Sequence, residues 1–175
     1  MRHIIAILLQ NEAGALTRVA GLFSTRGYNI ESLSVAATQD PTVSRITLVT
    51  KGSEAVIHQI ASQLLKLVDV VAVEDMTSGE HLERELLLAK VEVPALKRSS
   101  LDQIVQRAGG RVVAEMRTSV IVELTSSELG VSRFIDELAT VAKVREVVRS
   151  GALGIGQGAA AGFGQGTDQS GAAKA

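Results

Sequence analysis

Hydrophobic positions in residues 1–76 alternate between the period of a strand and the period of a helix. His3–Leu9 is an apolar run of strand length. The helix that follows it has apolar residues at i, i+3, i+4 and i+7, namely Leu16, Val19, Ala20 and Phe23. Residues 30–37 and 43–50 have strand character, a helix capped by Ser53 follows, and residues 68–73 resemble a last strand. The predicted order is strand, helix, strand, strand, helix, strand.

Residues 82–150 repeat this order. Glu85–Val93 predicts a strand, and Ser100 with Gln103 predicts a capping box at the start of a helix. A hairpin over residues 111–124, a helix and a strand at 144–148 complete the repeat. Thr77–Glu80 is the predicted linker.

Two consecutive units of this order predict an α+β fold of two ferredoxin-like (βαββαβ) domains, at residues 1–76 and 77–156. Right-handed crossovers would place both helices of a unit on one face of its sheet, with the first strand in the interior. His3–Leu9 is apolar on both faces, although the helices cover only one. We therefore expect the second face to pack against another domain or chain.

The end of the sequence has a different composition. The last 25 residues contain 8 of the 16 glycines, with mostly Ala, Gln and Ser besides. Such a segment has too little apolar surface to offset the entropy lost on ordering. The composition predicts a disordered Gly/Ala-rich tail over residues 157–175.

Composition excludes several classes of function. There is no cysteine, so thiolate metal sites and cysteine nucleophiles are excluded, and a net charge of −1 does not favour nucleic acid. The strands at His3–Leu9 and Val43–Thr50 lack the aromatic residues on which an RNA-recognition module stacks bases. No apolar run is long enough to cross a bilayer, and no cleavage site follows the first residues. We expect a cytoplasmic protein.

Candidate catalytic residues and metal ligands are not found. The histidines at positions 3, 58 and 81 have no other ligand at metal-site spacing, and we expect them at the surface. Glu83-Arg84-Glu85 is typical of a solvated charge run, with a partner contact as the alternative. The sequence predicts no catalytic and no metal-binding residue.

The segment between the first strand and the first helix has features of an anion-binding turn. The amino end of a helix presents unpaired N–H groups and a positive dipole end, which suit a carboxylate. Gly14 would let a ligand approach the backbone, and the Asn11 amide suits a zwitterion. The alternative is that Asn11 caps the helix and Gly14 makes the turn. Asn29 likewise either lies near a ligand or belongs only to a connection.

Several strings of residues resemble one family. They include Asn11-Glu12-Ala13-Gly14-Ala15-Leu16-Thr17-Arg18-Val19, Leu64-x-Lys66-Leu67-Val68-Asp69-Val70 and Arg149-Ser150-Gly151. The string that makes the resemblance specific is Gly27-Tyr28-Asn29-Ile30-Glu31-Ser32-Leu33. Over about residues 2–156 the chain resembles the small regulatory subunits of acetolactate (acetohydroxyacid) synthase, whose first domain is an ACT domain. Ser34 and Ala37 depart from the family pattern outside the turn.

The resemblance implies a regulatory function. Such a subunit binds a large catalytic subunit, which carries thiamin diphosphate, magnesium and FAD, while it binds none of these cofactors itself. It activates that subunit and confers feedback inhibition by valine in branched-chain amino-acid synthesis. Such a subunit would form a homodimer through its ACT domains. Each valine site would then contain Asn11, Gly14 and Ala15 of one chain and Asn29 and Ile30 of the other.

Two other functions compete with this interpretation. A stand-alone ACT protein could sense another amino acid and control a different protein, but the second domain favours the synthase subunit. An enzyme of unknown type is the other alternative. The residues leave the preference among valine, leucine and isoleucine open.

Overall fold

The computed structural model describes residues 1–157 and 162–165, which divide into two units. The first comprises Met1–Leu82 with the segment from Gly154 onward, and the second comprises Glu83–Leu153. The first unit thus extends beyond the predicted boundary at residue 76. Among the described residues, no helix is both long and apolar enough to cross a membrane.

The first unit has the predicted order of elements. They are β1 (Arg2–Gln10), α1 (Ala15–Thr25), β2 (Ile30–Ala37), β3 (Val43–Lys51), α2 (Glu54–Leu64) and β4 (Val70–Asp75). The strands are ordered β4-β1-β3-β2, so β1 lies inside the sheet and β2 at an edge, which confirms the ferredoxin-like fold. The Ser53 side chain accepts from the Val56 N–H, which confirms the predicted cap of α2. Val68 is 86% exposed and precedes β4, so the last strand begins later than predicted.

The second unit repeats this topology. Its elements are β5 (His81–Glu92), α3 (Arg98–Arg107), β6 (Arg111–Glu115), β7 (Ser119–Ser126), α4 (Glu128–Val141) and β8 (Lys143–Arg149), with the sheet order β6-β7-β5-β8. The predicted capping box at Ser100 is wrong, because a 3₁₀ turn at Ala95–Lys97 leads directly into α3. Ser100 therefore lies inside the helix. The residue that does cap a helix here is Ser127, which accepts from the Gly130 N–H.

The core of the first unit lies between the sheet and its two helices. Ile5, Ile7 and Leu9 alternate along β1 towards the helices and are almost fully buried. They pack against the apolar faces of α1 and α2, including Val19 and Phe23. This packing fixes the direction in which α1 leaves β1, and so positions the turn between them.

The opposite face of β1 is covered at one end by a segment that was not predicted to have structure. A strand, β9, spans Leu153–Gly156. The carbonyl of Gly154 accepts a 3.1 Å hydrogen bond from Arg45 Nη2, and a Cβ on Gly154 would lie only 3.0 Å from Ile4 Cδ1. Ile4 is 1% exposed. We expected another domain or chain to cover this face. At this end, the segment of the same chain around Gly154 covers it instead.

The predicted tail, 157–175, lies mostly outside the described residues. Within it, the structure places a strand, β10, at Gly162–Gln165, antiparallel to the edge strand β4. These four residues differ from the prediction of disorder. Strand addition uses main-chain hydrogen bonds, so a glycine-rich segment can pair with an open edge without apolar side chains.

Candidate functional site

The turn between β1 and α1 leaves the amino end of the helix open. Gly14 is the N-cap residue, and its φ of 87° is a left-handed conformation that favours glycine. Glycine has no side chain with which to cap the helix, so α1 has no side-chain cap. The first helical residue, Ala15, is 1% exposed, and its N–H donates to the Glu12 carbonyl at 3.2 Å. The turn therefore presents backbone to the surface while Ala15 anchors it in the core.

Asn11 ties this turn to the turn between β2 and β3. Its side-chain Nδ2 donates to the Pro41 carbonyl at 2.9 Å, and its backbone N–H donates to the Thr42 carbonyl at 2.7 Å. The alternative that Asn11 caps α1 is wrong, because Gly14 is the N-cap. With Nδ2 oriented by Pro41, the exposed amide has its Oδ1 atom as an acceptor.

A salt bridge lies beside the same turn. Arg18, in the first turns of α1, donates from Nη2 to Asp69 Oδ1 at 2.8 Å and from Nε to Oδ2. Asp69 is 3% exposed and directly precedes β4. These hydrogen bonds hold the pKa of Asp69 below its ordinary value and raise the pKa of Arg18. A bidentate pair of this kind fixes the plane of the guanidinium.

The Arg18 guanidinium lies over Gly14. A Cβ on Gly14 would be 3.1 Å from Arg18 Nη1, which is tighter than ordinary van der Waals contact. Neither Arg18 nor Asp69 was predicted as a site residue. Both belong to strings that carry the family resemblance, but they are 51 positions apart. The pairing of β1 with β4 places Asp69 beside the end of β1, where the chain turns into α1.

Asn29 and Ile30 lie where β2 begins. Gly27, with a φ of 69°, ends the preceding helix, as predicted. The Asn29 carbonyl accepts from the Thr50 hydroxyl at 2.6 Å, and its side chain is exposed. Ile30 pairs with Thr50 in the sheet and packs partly against the core. The backbone at Asn29 is thus fixed while its side chain faces outward.

Within one chain, the two predicted halves of the site lie at opposite ends of the sheet. Ile30 is opposite Thr50, which is opposite His3 at the start of β1. Asn11 follows Gln10 at the other end of that strand. His3 and Gln10 are seven positions apart along β1, which corresponds to about 23 Å. A single chain therefore does not bring Asn11 and Asn29 to one ligand.

Two surface predictions are wrong. His3 is 2% exposed, and its Nε2 lies 3.2 Å from the Gly52 carbonyl, because His3 alternates with Ile5 on the helix-facing side of β1. Glu85, predicted to be solvated, is 4% exposed and forms a bidentate salt bridge of 2.8 and 2.6 Å with Arg149. In the described part of the chain, no group of three or more His, Cys, Asp or Glu residues is arranged to hold a metal ion.

Comparisons with known proteins agree over both units. Residues 5–72 match the family model of the AHAS small subunit-like ACT domain, and residues 84–158 match that of the small subunit of acetolactate synthase. The acetolactate synthase isozyme 3 small subunits of Salmonella typhimurium and Escherichia coli are 45% and 44% identical to this chain, over 90% of it and 97% of each relative. The crystal structure of the acetolactate synthase small subunit from Thermotoga maritima superposes with a TM-score of 0.83 at 31% identity, covering 91% of this chain and 99% of that one.

Proposed function

The chain belongs to the family of acetolactate synthase small subunits, and from that premise we propose that it activates the catalytic large subunit and makes it sensitive to valine. Valine would be the feedback signal of branched-chain amino-acid synthesis. The large subunit would perform the condensation of pyruvate and carry thiamin diphosphate, magnesium and FAD. This chain would have no catalytic residue and bind none of these cofactors. Its cytoplasmic location stays a prediction.

The observation that carries the proposal is the open amino end of α1 at Gly14. Unpaired N–H groups and the positive end of the helix dipole attract a carboxylate, and a glycine lets that carboxylate reach the backbone. Asn11, held by Pro41, would direct its Oδ1 atom to the ligand ammonium group. The turn thus offers opposite polarity to the two ends of an amino acid.

The second half of the proposed site comes from another copy of the chain. β2 is an edge strand of the described sheet, and its last residue, Ala37, pairs with Ser44, which pairs with Leu9 at the Asn11 end of β1. If two β2 strands pair antiparallel about a two-fold axis, the partner's β2 begins beside Ala37. This geometry would bring Asn29 and Ile30 of the partner towards Asn11 and Gly14, and it gives two equivalent sites for each dimer.

In this proposal, valine binds between the two chains and changes the interaction of the dimer with the large subunit. Inhibition is then a coupling free energy between the valine site and the large subunit, typically about 1–3 kcal/mol. The isopropyl group would contact the half-buried side chain of Ile30. Activation needs only the docked small subunit, so activation and inhibition should be separable.

The decisive experiment is a titration of the full chain into its cognate large subunit, with and without valine, followed by acetolactate formation. We expect no activity from this chain alone, a rise in activity when it is added to the large subunit, and inhibition by valine only in the mixture. If the rate were independent of this chain, the proposed function would be wrong. If activation occurred without any response to valine, the sensor role would be wrong.

A further inference from the structure

The Arg18–Asp69 pair adds a cation of fixed orientation to the amino end of α1. Resting on the function proposed above, we infer that Arg18 recognises the carboxylate of the amino-acid ligand and that Asp69 is the residue that positions it. Arg18 would then select ligands that carry an ionised carboxylate over amides and amines of the same shape. Three features of the described residues support this role of Arg18.

The first feature is the distribution of the guanidinium donors. Arginine has five N–H groups in a planar fork. Asp69 accepts from Nε and from Nη2, while in the described part of the chain no hydrogen bond is made by Nη1. The Arg18 side chain is 48% exposed, whereas that of Asp69 is 4% exposed. One side of the fork is therefore held in the protein, and the Nη1 side remains accessible to a ligand.

The second feature is the direction of Nη1. It lies 3.1 Å from the position that a Cβ would occupy on Gly14. Any larger residue at position 14 would press on the guanidinium as well as strain the backbone, whose φ is 87°. Gly14 thus keeps both the helix N–H groups and Nη1 accessible from the same side. A carboxylate at this turn can accept from both.

The third feature is the local charge. A guanidinium is disfavoured at the positive end of a helix unless an anion accompanies it, and buried Asp69 is that anion. Exposed Glu12, on the same turn, also acts on Arg18 by its charge. Without Arg18, the turn would carry two negative charges and repel a ligand carboxylate. Arg18 therefore decides whether an anionic group can bind here.

The test measures binding of valine and of valinamide, which lacks the carboxylate, to the full chain by calorimetry. The variants are Arg18→Lys, which keeps a charge beside Asp69 without the planar fork, and Asp69→Asn, which releases the guanidinium. We expect valine affinity to fall about 10-fold or more in both variants, since a hydrogen bond to a charged group is lost. Valinamide affinity should change by less than about 3-fold, since it has no carboxylate for Arg18 to recognise. Arg26→Lys, at the exposed carboxyl end of α1, is the matched control and should leave both affinities unchanged.

The outcomes distinguish this inference from the proposed function. If both ligands weaken equally in the two variants, Arg18 and Asp69 only support the fold, and the inference is overturned. If one variant fails to fold, as judged by circular dichroism, the other variant decides, and equal affinity of the wild type for valine and valinamide would also overturn the inference. If the wild type binds neither ligand, alone or with the large subunit, then the proposed sensor role itself fails.

Discussion

The hydroxyl of Thr50 donates a 2.6 Å hydrogen bond to the carbonyl of Asn29 and joins the interior of the sheet to the start of its edge strand. Thr50 is 0% exposed, and it lies opposite both His3 and Ile30 in the sheet. Because the bond is made to the backbone of Asn29, it fixes that residue while leaving its side chain at the surface. The position of Asn29, which would contact the ligand, thus depends on Thr50, which would not.

This dependence can be tested with Thr50→Val, which keeps the shape of the side chain and removes the hydroxyl. The Asn29 carbonyl would lose its partner, which costs about 1–3 kcal/mol where the group is buried. We expect a lower free energy of unfolding in urea and a several-fold weaker response to valine. Thr50→Ser keeps the hydroxyl and is the control for the response to valine. Normal valine inhibition in Thr50→Val would show that this bond does not position the site.

Asn29→Ala tests the ligand contact itself. It removes one or two hydrogen bonds to a charged ligand, each of about 1.5–3 kcal/mol, so valine affinity should fall roughly 10- to 150-fold. Activation of the large subunit should persist, because in the proposed function activation depends on docking and not on the ligand. The measurement is acetolactate formation by the reconstituted enzyme over a valine titration. Loss of activation together with inhibition would mean that Asn29 serves the fold or the dimer instead.

Gly14→Asp should abolish valine inhibition more completely than Asn29→Ala. The new side chain would occupy a left-handed position with φ of 87°, and its carboxylate would pair with Arg18 Nη1, whose distance from the Cβ position is 3.1 Å. It would thereby take the place of the ligand carboxylate. Gly14→Asn is the matched control, because asparagine tolerates this conformation and has similar size without the charge. Equal loss in the two variants would assign the effect to bulk, and normal inhibition in both would remove Gly14 from the site.

Much of the fold could be predicted from periodicity, because each element has its own pattern of apolar residues. The order of elements in both units and the interior position of β1 followed from that pattern and from crossover handedness. The start of α3 could not be predicted in this way. Ser100 satisfies a local capping pattern, but the helix begins earlier, directly after a 3₁₀ turn. β9 and β10 were missed because a strand that adds through its main chain leaves little signal in its side chains.

For the candidate site, sequence reasoning found the residues that act through the backbone or a local turn. Gly14 and Asn11 could be identified because a glycine before an amphipathic helix has a clear conformational meaning. The Arg18–Asp69 pair could not be identified from the sequence, because the two residues are 51 positions apart and each resembles an ordinary surface charge. His3 and Glu85 were misplaced for a different reason: each was interpreted as an ordinary surface polar residue, although its position in the alternation of an interior strand buries it.

The protonation of Asp69 should be visible in the stability of the protein at low pH. Its pKa is lowered in the folded state by the hydrogen bonds from Arg18. The stabilising contribution is therefore complete above the unfolded-state pKa, about 3.9 for aspartate, and is lost as pH falls through the lower folded-state value. We expect urea unfolding of the wild type to weaken more steeply below about pH 4 than that of Asp69→Asn. Asp40→Asn is a useful comparison, since the pKa of Asp40 is lowered by hydrogen bonds from Thr42 in an exposed turn. Parallel pH profiles for the wild type and Asp69→Asn would contradict the prediction.

Two truncations separate the role of β9 from that of the residues beyond it. A chain ending at Gly156 keeps β9 and loses β10, and neither described core contains a residue from beyond position 152. We expect it to fold, to activate the large subunit and to respond to valine as the full chain does. A chain ending at Ala152 loses the carbonyl of Gly154 that binds Arg45. It also uncovers the side chains of Ile4 and Met76, which contact Gly154 and are only 1% and 2% exposed in the full chain.

Partial exposure of two apolar side chains should lower the free energy of unfolding by about 1–3 kcal/mol in the chain ending at Ala152. Urea unfolding of both truncations beside the full chain gives this difference. Size-exclusion chromatography over a range of concentrations then reports on the edge of β4, which loses its β10 partner in both truncations. Because backbone pairing at this edge needs no particular side chain, self-association should increase in both truncations to a similar degree. If the chain ending at Gly156 instead lost activation while remaining folded, the segment beyond Gly156 would contact the large subunit and would not be a passive extension.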